Sequence, residues 1–209
     1  MQLRKILVVD DHVAVLHGLR LMLQSEFPLA KVAAVDNAPA ALAEAAQGDW
    51  GLAIVDLSLG GRNGLDLLRE LRGMMPSMPI VVYTMHPESQ FGVRALQSGA
   101  NGFVTKDQPA EELFEAIRTV LSGKRFVSPA LADALAAFVA EPTNPLDLLS
   151  SREHQILIMI AQGRTATEIG DELNLSIKTV STYRARVLEK LKLHSTADLV
   201  RFAINHQLA

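Results

Sequence analysis

Five short apolar runs organise the first 125 residues, and each is followed at once by a polar or charged residue. The runs are Ile6–Val9, Val32–Val35, Leu52–Val55, Ile80–Tyr83 and Gly102–Thr105. Each has the length of a strand, and most are apolar on both faces, as parallel strands covered on two sides are. Between them lie apolar residues at helical spacing: Val15, Leu16, Leu19 and Leu23, then Leu65, Leu67, Leu68 and Leu71, then Leu113, Ile117, Val120 and Leu121 behind Pro109. Strand alternating with helix predicts an α/β domain with a five-stranded, parallel, doubly wound sheet. Right-handed crossovers in such a sheet leave ligands outside the carboxyl ends of the strands.

The residues at those ends are Asp10 and Asp11 after the first run, Asp56 after the third, Thr84 after the fourth and Lys106 after the fifth. Three carboxylates converging at one edge repel each other unless a cation joins them. Oxygen donors alone, without Cys or a His pair, suit Mg²⁺, which keeps several waters and takes phosphate oxygens as further ligands. A carboxylate can also act as a nucleophile and become an acyl phosphate. The Thr84 hydroxyl and the Lys106 ammonium would then bind phosphoryl oxygens. Taken singly, each Asp is as readily a helix cap or a turn residue. The whole set at four strand ends is what points to a site.

The stretches VVDDH (8–12), IVDLSLGGRNG (54–64), VVYTM (81–85) and SGANGFVTKD (98–107) resemble the receiver domain of response regulators. The resemblance implies a flavodoxin-like sheet of order 2-1-3-4-5 and phosphorylation of Asp56 by a sensor histidine kinase. It implies Mg²⁺ held by Asp11, Asp56 and the Ser58 carbonyl, with Asp10 in support. Thr84, Phe103 and Lys106 become switch residues, and Ser58 and His86 tune the lifetime of the phosphoryl group. Gly60 stands where the family often has proline, which predicts a more mobile loop. Asp107 also replaces a frequent proline, and Phe103 lacks the hydroxyl a tyrosine would bring.

After Ser122-Gly123 the character changes. Residues 130–140 (ALADALAAFVA) read as a short Ala-rich helix and Glu141–Asp147 as the linker, punctuated by Pro142 and Pro145. Residues 149–208 read as four helices, near 151–162, 166–173, 177–191 and 196–206. Ser150-x-x-Glu153 and Thr165-x-x-Glu168 have capping-box spacing, Ser195-x-x-Asp198 is a weaker relative, and Ser176 can cap the third helix. Asn174-Leu175-Ser176 is a turn of helix-turn-helix length. The organisation expected is an α/β domain over 1–125, a linker with a short helix over 126–148, and an all-α helix-turn-helix domain over 149–209.

The formal net charge is −3, yet residues 176–192 hold Lys178, Arg184, Arg186, Lys190 and Lys192 against Glu189 alone. Plotted as a helix, Ile177, Val180, Val187, Leu188 and Leu191 form a core stripe, with Arg184 snorkelling from it. Lys178, Ser181, Thr182 and Ala185 lie opposite, beside Arg186. Small polar side chains flanked by cations suit a major groove, with Ser181 and Thr182 at base edges and Lys178, Arg186 and Lys190 on phosphates. A charged helix that is merely solvated would share the composition. The segment 149–193, most specifically TVSTYRARVLEKL, resembles the LuxR-type helix-turn-helix of the NarL/FixJ family. That resemblance implies that Tyr183 also contacts the DNA backbone and that Ala197–Leu208 helps two such domains pair.

The absence of cysteine excludes disulfide scaffolds and thiol catalysis. Six histidines without an HxH or HxxxH pair argue against a histidine metal site. No window approaches about 18 uninterrupted apolar residues, and MQLRK followed by four apolar residues is too short for a signal peptide, so a cytoplasmic protein with no membrane partner is expected. An aspartyl phosphohydrolase is disfavoured because Ser58 stands where an acid–base Asp would be needed. A flavin binder is disfavoured because the carboxylates would repel its phosphate. The function expected is a phosphorylation-switched transcription regulator, with double-stranded DNA, a sensor kinase and a second copy of itself as partners.

Overall fold

The computed structural model describes residues 3, 5–60, 62–140, 145–206 and 208. They fall into two compact units, Met1–Ala132 and Asp133–Ala209.

In the first unit the strands β1 (Lys5–Val9), β2 (Lys31–Val35), β3 (Leu52–Val55), β4 (Ile80–Thr84) and β5 (Gly102–Thr105) pair in parallel in the order β2-β1-β3-β4-β5. This is the expected doubly wound sheet. Its register sets Val9 beside Val55, Val55 beside Val82, and Thr84 beside Thr105. The strands therefore end level with one another, which brings their following residues together. Helices α1 (Val13–Glu26), α2 (Ala38–Ala45), α3 (Gly64–Met74), α4 (Glu88–Gln97) and α5 (Ala110–Leu121) connect them. Leu16, Leu19 and Leu23 of α1 and Leu113, Ile117 and Val120 of α5 join Ile6, Val8, Ile54 and Val81 in one core. Each such side chain contributes about 1.5–3 kcal/mol on burial.

Two helices have no leucine stripe to announce them. The buried face of α2 is Ala38, Ala41 and Ala45, and that of α4 is Phe91, Gly92, Ala95 and Leu96. Small residues let these helices lie close to their neighbours but barely register as an apolar periodicity.

Local chemistry fixes the connections near the strand ends. A two-residue antiparallel ladder, Ser58–Leu59 with Arg62–Asn63, lies between β3 and α3. The Asn63 carboxamide then accepts the Leu65 N–H at 2.9 Å and caps α3. Arg72 of α3 ties two other loops down: its guanidinium donates to the carbonyls of Gly99, Pro76 and Met78 and to Asn101 Oδ1, at 2.6–2.8 Å. A shorter side chain would leave those loop acceptors without a charged partner.

The chain stays on the first unit beyond residue 125. Phe126 pairs with Gly102 at the β5 edge: the Phe103 N–H donates to the Phe126 carbonyl and the Phe126 N–H to the Asn101 carbonyl. Helix α6 (Pro129–Ala140) starts there, and its Leu131 is buried against Gly92 of α4. A methyl group at Gly92 would sit 2.7 Å from Leu131 Cδ1, so the missing side chain makes the seat. Of the linker expected over 141–147, residues 141–144 lie outside the described residues, and Pro145–Leu148 forms a 3₁₀ turn.

In the second unit, α7 (Ser151–Ala161), α8 (Ala166–Leu173), α9 (Ile177–Leu191) and α10 (Thr196–Asn205) follow. Both capping boxes form, at Ser150/Glu153 and Thr165/Glu168, and Ser176 and Ser195 cap α9 and α10. Helix α9 packs on α7 and α8, and α10 on α7. The turn from α8 to α9 closes through Asn174 in the left-handed conformation (φ 52°) and the Leu175 N–H bonded to the Gly170 carbonyl at 2.8 Å. Asn tolerates that conformation better than most residues.

Candidate functional sites

The carboxyl ends of β1, β3, β4 and β5 bring Asp10, Asp11, Asp56, Thr84 and Lys106 to one edge of the sheet. Asp10, Asp56 and Thr84 are buried. The Lys106 ammonium lies between the two buried carboxylates, 2.6 Å from Asp10 Oδ2 and 2.6 Å from Asp56 Oδ2. The remaining oxygens meet the backbone: the Ser58 N–H donates to Asp56 Oδ1 at 3.1 Å, and the His12 N–H to Asp10 Oδ1 at 2.9 Å. The Thr84 hydroxyl accepts the His86 N–H at 3.3 Å, and the Ser58 hydroxyl bonds His86 Nε2 at 3.1 Å.

Burial pushes the Asp10 carboxyl up, against the pull of Lys106 and the His12 N–H. Burial works to lower Lys106, but the charges of Asp56 and Asp10 outweigh it and hold the ammonium more firmly protonated than usual. Three carboxylates face one ammonium, so the pocket carries two net negative charges. Oxygen donors with that excess charge fit a hard dication.

Gly60 bonds into this cluster, its N–H donating to Asp11 Oδ2 at 2.8 Å, with φ at +32°. Proline could supply neither the N–H nor that φ. The bond holds Gly60 itself to the cluster. Phe103 is buried, and with Val104, Phe126 and Val127 it lines a cavity of about 630 Å³, which leaves room beside the ring.

In the second unit α9 presents Lys178, Ser181, Thr182 and Arg186 to solvent, with Tyr183 half-buried and the Arg186 guanidinium 5.8 Å from its ring centre. The Thr182 hydroxyl donates back to the Lys178 carbonyl at 2.9 Å.

Family models match both halves of the chain: response regulator receiver domain over residues 6–118, and bacterial regulatory proteins, luxR family, over 147–203. The response regulator GacA of Pseudomonas aeruginosa is 38% identical over 205 residues, covering 97% of this chain and 96% of that protein. The response regulator UvrY of Escherichia coli is 33% identical, covering 97% and 94%. The chain belongs to the NarL/FixJ family of response regulators. Among solved structures, the RcsB response regulator of Salmonella typhimurium superposes with a TM-score of 0.67 at 25% identity, covering 99% of both chains. RcsB bound to the rprA promoter in the presence of the phosphomimetic BeF3- gives 0.61 at 25% identity, covering 95% and 97%. A receiver joined to a LuxR-type DNA-binding domain makes this response regulator a two-component transcription regulator. Among its described residues no helix is long and apolar enough to cross a membrane.

Within this response regulator three residues behave differently from their sequence pattern. Ile177, assigned to the core stripe of α9, is 54% exposed; only Val180 and Val187 of that stripe are buried. Lys190, assigned to DNA phosphates, donates to the buried Glu153 at 2.7 Å. His12 has no second histidine at metal-binding spacing, yet its ring lies against its sequence neighbours Asp10 and Asp11, and the fold adds Asp56 to the same cluster.

The Lys190–Glu153 pair has a measurable consequence. Burial pushes the Glu153 carboxyl up, but Lys190 and the Ser150 N–H and hydroxyl outweigh it and hold it below the usual value of 4.5. A carboxyl depressed by folding contributes stability that is present above its unfolded pKa and lost as pH falls through its folded pKa. The helix-turn-helix domain should therefore weaken progressively below about pH 4.5. Lys190→Met should flatten that acid slope and lower stability at neutral pH by about 1–2 kcal/mol, since Lys190 is itself partly in water. Urea unfolding across the pH range checks both; an unchanged acid slope would remove the pair from the stability of the domain.

Proposed function

We propose that this protein is switched by phosphorylation of Asp56, with phosphoryl transfer from a sensor histidine kinase. The observation that carries the reading is the Lys106 ammonium bridging Asp56 and Asp10 at 2.6 Å each, on the buried floor of a pocket with two uncompensated negative charges. In the reading proposed, Mg²⁺ is held by Asp11, Asp56 and the Ser58 carbonyl with Asp10 in support. When bound, it would neutralise charge between the carboxylate and the phosphoryl oxygens. An Asp56 carboxylate oxygen attacks phosphorus, an O–P bond forms, and the P–N bond to the kinase imidazole breaks. Lys106 then exchanges its Asp56 partner for a phosphoryl oxygen, and Thr84 turns its hydroxyl toward the same group. Phe103 responds by repacking beside its cavity. The protein's own chemistry is limited to accepting the phosphoryl group and losing it to water, with Ser58 and His86 beside the path. The working location is the cytoplasm.

The output is sequence-specific binding of double-stranded DNA by α9, strengthened when phosphorylation pairs two chains. The proposed organisation is a receiver over 1–125, a linker over 126–148 and a DNA-binding domain over 149–209. Ser181 and Thr182 read base edges; Lys178, Arg186 and Tyr183 hold the backbone, joined by Lys190 where its bond to Glu153 allows. Footprinting on genomic DNA with and without phosphodonor tests the whole reading. Protected sites should appear or extend with phosphodonor, and identical patterns would overturn the switch.

The roles within α9 separate in a salt titration. Lys178→Ala or Arg186→Ala should weaken binding to specific and random duplexes alike and lower the salt slope by about one for each phosphate no longer neutralised. Lys178→Ala should leave stability unchanged and Arg186→Ala should cost at most about 1 kcal/mol, the stacking of its guanidinium on Tyr183. Lys190→Met should do the reverse, losing stability with the smaller change in slope. Unchanged slopes for both exposed cations would count against this docking.

A further inference from the structure

The sequence alone places His12 beside two aspartates without saying where its ring goes. In the structure Nδ1 lies 2.7 Å from Asp11 Oδ1 and 3.5 Å from Asp10 Oδ1. Asp10, Asp11, His12 and Asp56 each offer one ligand atom, and all four atoms lie within 4.8 Å of one another. The ring is 66% exposed and stands at the mouth of the pocket, while Asp10 and Asp56 form its buried floor. The His12 side chain makes no cap on α1; its backbone N–H does the local work by bonding Asp10.

A nitrogen donor changes which ion such a site prefers. Mg²⁺ demands near-ideal octahedral oxygen ligation at about 2.0–2.1 Å and gives up water reluctantly, so a neutral imidazole adds little to its binding. Zn²⁺ and Co²⁺ take imidazole nitrogen readily at about 2.0–2.1 Å and accept carboxylates in the same shell. Four-coordinate ligation by one nitrogen and three oxygens suits them.

We propose that His12 turns the acidic pocket into a mixed nitrogen–oxygen site in which a divalent transition metal binds with His12 as an added ligand and competes with Mg²⁺. The proposal rests on the reading of this pocket as the divalent-cation site of the receiver. Its consequence is regulatory as well as chemical. A metal that draws in His12 occupies the mouth through which a phosphodonor must approach Asp56.

The test uses the full-length chain and two probes, Co²⁺ followed by its visible absorption and Mg²⁺ followed by fluorescence of the single tryptophan, Trp50. His12→Ala should lower the ratio of Co²⁺ to Mg²⁺ affinity at least tenfold and shift the Co²⁺ bands. Asp56→Asn should weaken both ions, which separates this pocket from the five other histidines of the chain. Should Trp50 be silent, calorimetry reads the same ratio. A wild-type chain that binds Mg²⁺ and a His12→Ala chain with the same ratio and the same Co²⁺ spectrum would overturn the proposal while leaving the receiver reading intact. Co²⁺ binding that depends on His12 without any Mg²⁺ binding would do the opposite. Binding of neither ion would overturn both.

Discussion

Acetyl phosphate and Mg²⁺ should add one acid-labile phosphoryl group to the full-length chain, and Asp56→Asn should take up none. The three pocket carboxylates are not equivalent. Asp11 is the most exposed, and one of its oxygens accepts the Gly60 N–H. Asp10 sits deeper, with one oxygen on the Lys106 ammonium and the other on the His12 N–H. Asp56 is held by one N–H and one ammonium, and that ammonium is already placed for an oxygen of the incoming group. In the reaction an Asp56 oxygen bonds to phosphorus and acetate leaves; an amide at position 56 has no such nucleophile. Asp10→Asn and Asp11→Asn should slow uptake without abolishing it. Intact-mass measurement before and after acid treatment reads the result, and label persisting in Asp56→Asn would move the phosphoacceptor elsewhere.

Gly64→Ala should be among the most destabilising single substitutions in the receiver, although it adds one methyl group. A Cβ built there lies 2.5 Å from Leu57 Cα, 2.7 Å from the Asp56 carbonyl oxygen and 2.9 Å from the Leu57 carbonyl oxygen. All three are backbone atoms, so no side chain can rotate away. The Gly64 N–H also donates to the Leu57 carbonyl at 3.1 Å, which fixes α3 against the end of β3. Relief requires moving either α3, whose Leu65, Leu67, Leu68 and Leu71 are buried, or the segment that carries Asp56. Overpacking of this kind costs about 3 kcal/mol, and for a unit of this size that lowers the melting temperature by roughly 10 °C. Phosphoryl uptake at a temperature where the variant is folded should fall as well, because Asp56 is displaced. Thermal unfolding within about 2 °C of wild type would show that the approach relaxes without strain.

Gly60 and Gly64 lie four residues apart and serve different needs. Gly60 supplies a positive φ and an N–H for Asp11, and Gly64 supplies the absence of a side chain. Both needs come from the pocket and its supports, and nothing in the glycine spacing distinguishes them.

The strands of the sheet and the four capped C-terminal helices were legible in the chain because their signals are local, whereas the strand order came with the resemblance to receiver domains. Strands buried on both faces read as continuous apolar runs, and Ser or Thr followed three residues later by Glu satisfies its own helix end. The convergence of Asp10, Asp56 and Lys106 was legible too, since a parallel sheet puts every strand's carboxyl end on one edge. Other features depended on distant parts of the chain meeting. Helices α2 and α4 hide behind alanine and glycine, whose burial depends on how closely a partner approaches. Lys190 looks like any other cation of α9 until α7 brings Glu153 to it, 37 residues away. Ile177 fits the stripe that buries Val180, yet it is left in water, and helical spacing does not distinguish the two. His12 acquires its metal-ligand neighbours from Asp56, which is 44 positions away in sequence and set beside it by the pairing of β1 with β3. Periodicity and capping act over a few residues and can be read along a chain; which charges meet, and which side chains find cover, are settled by contacts that exist only once the chain has folded.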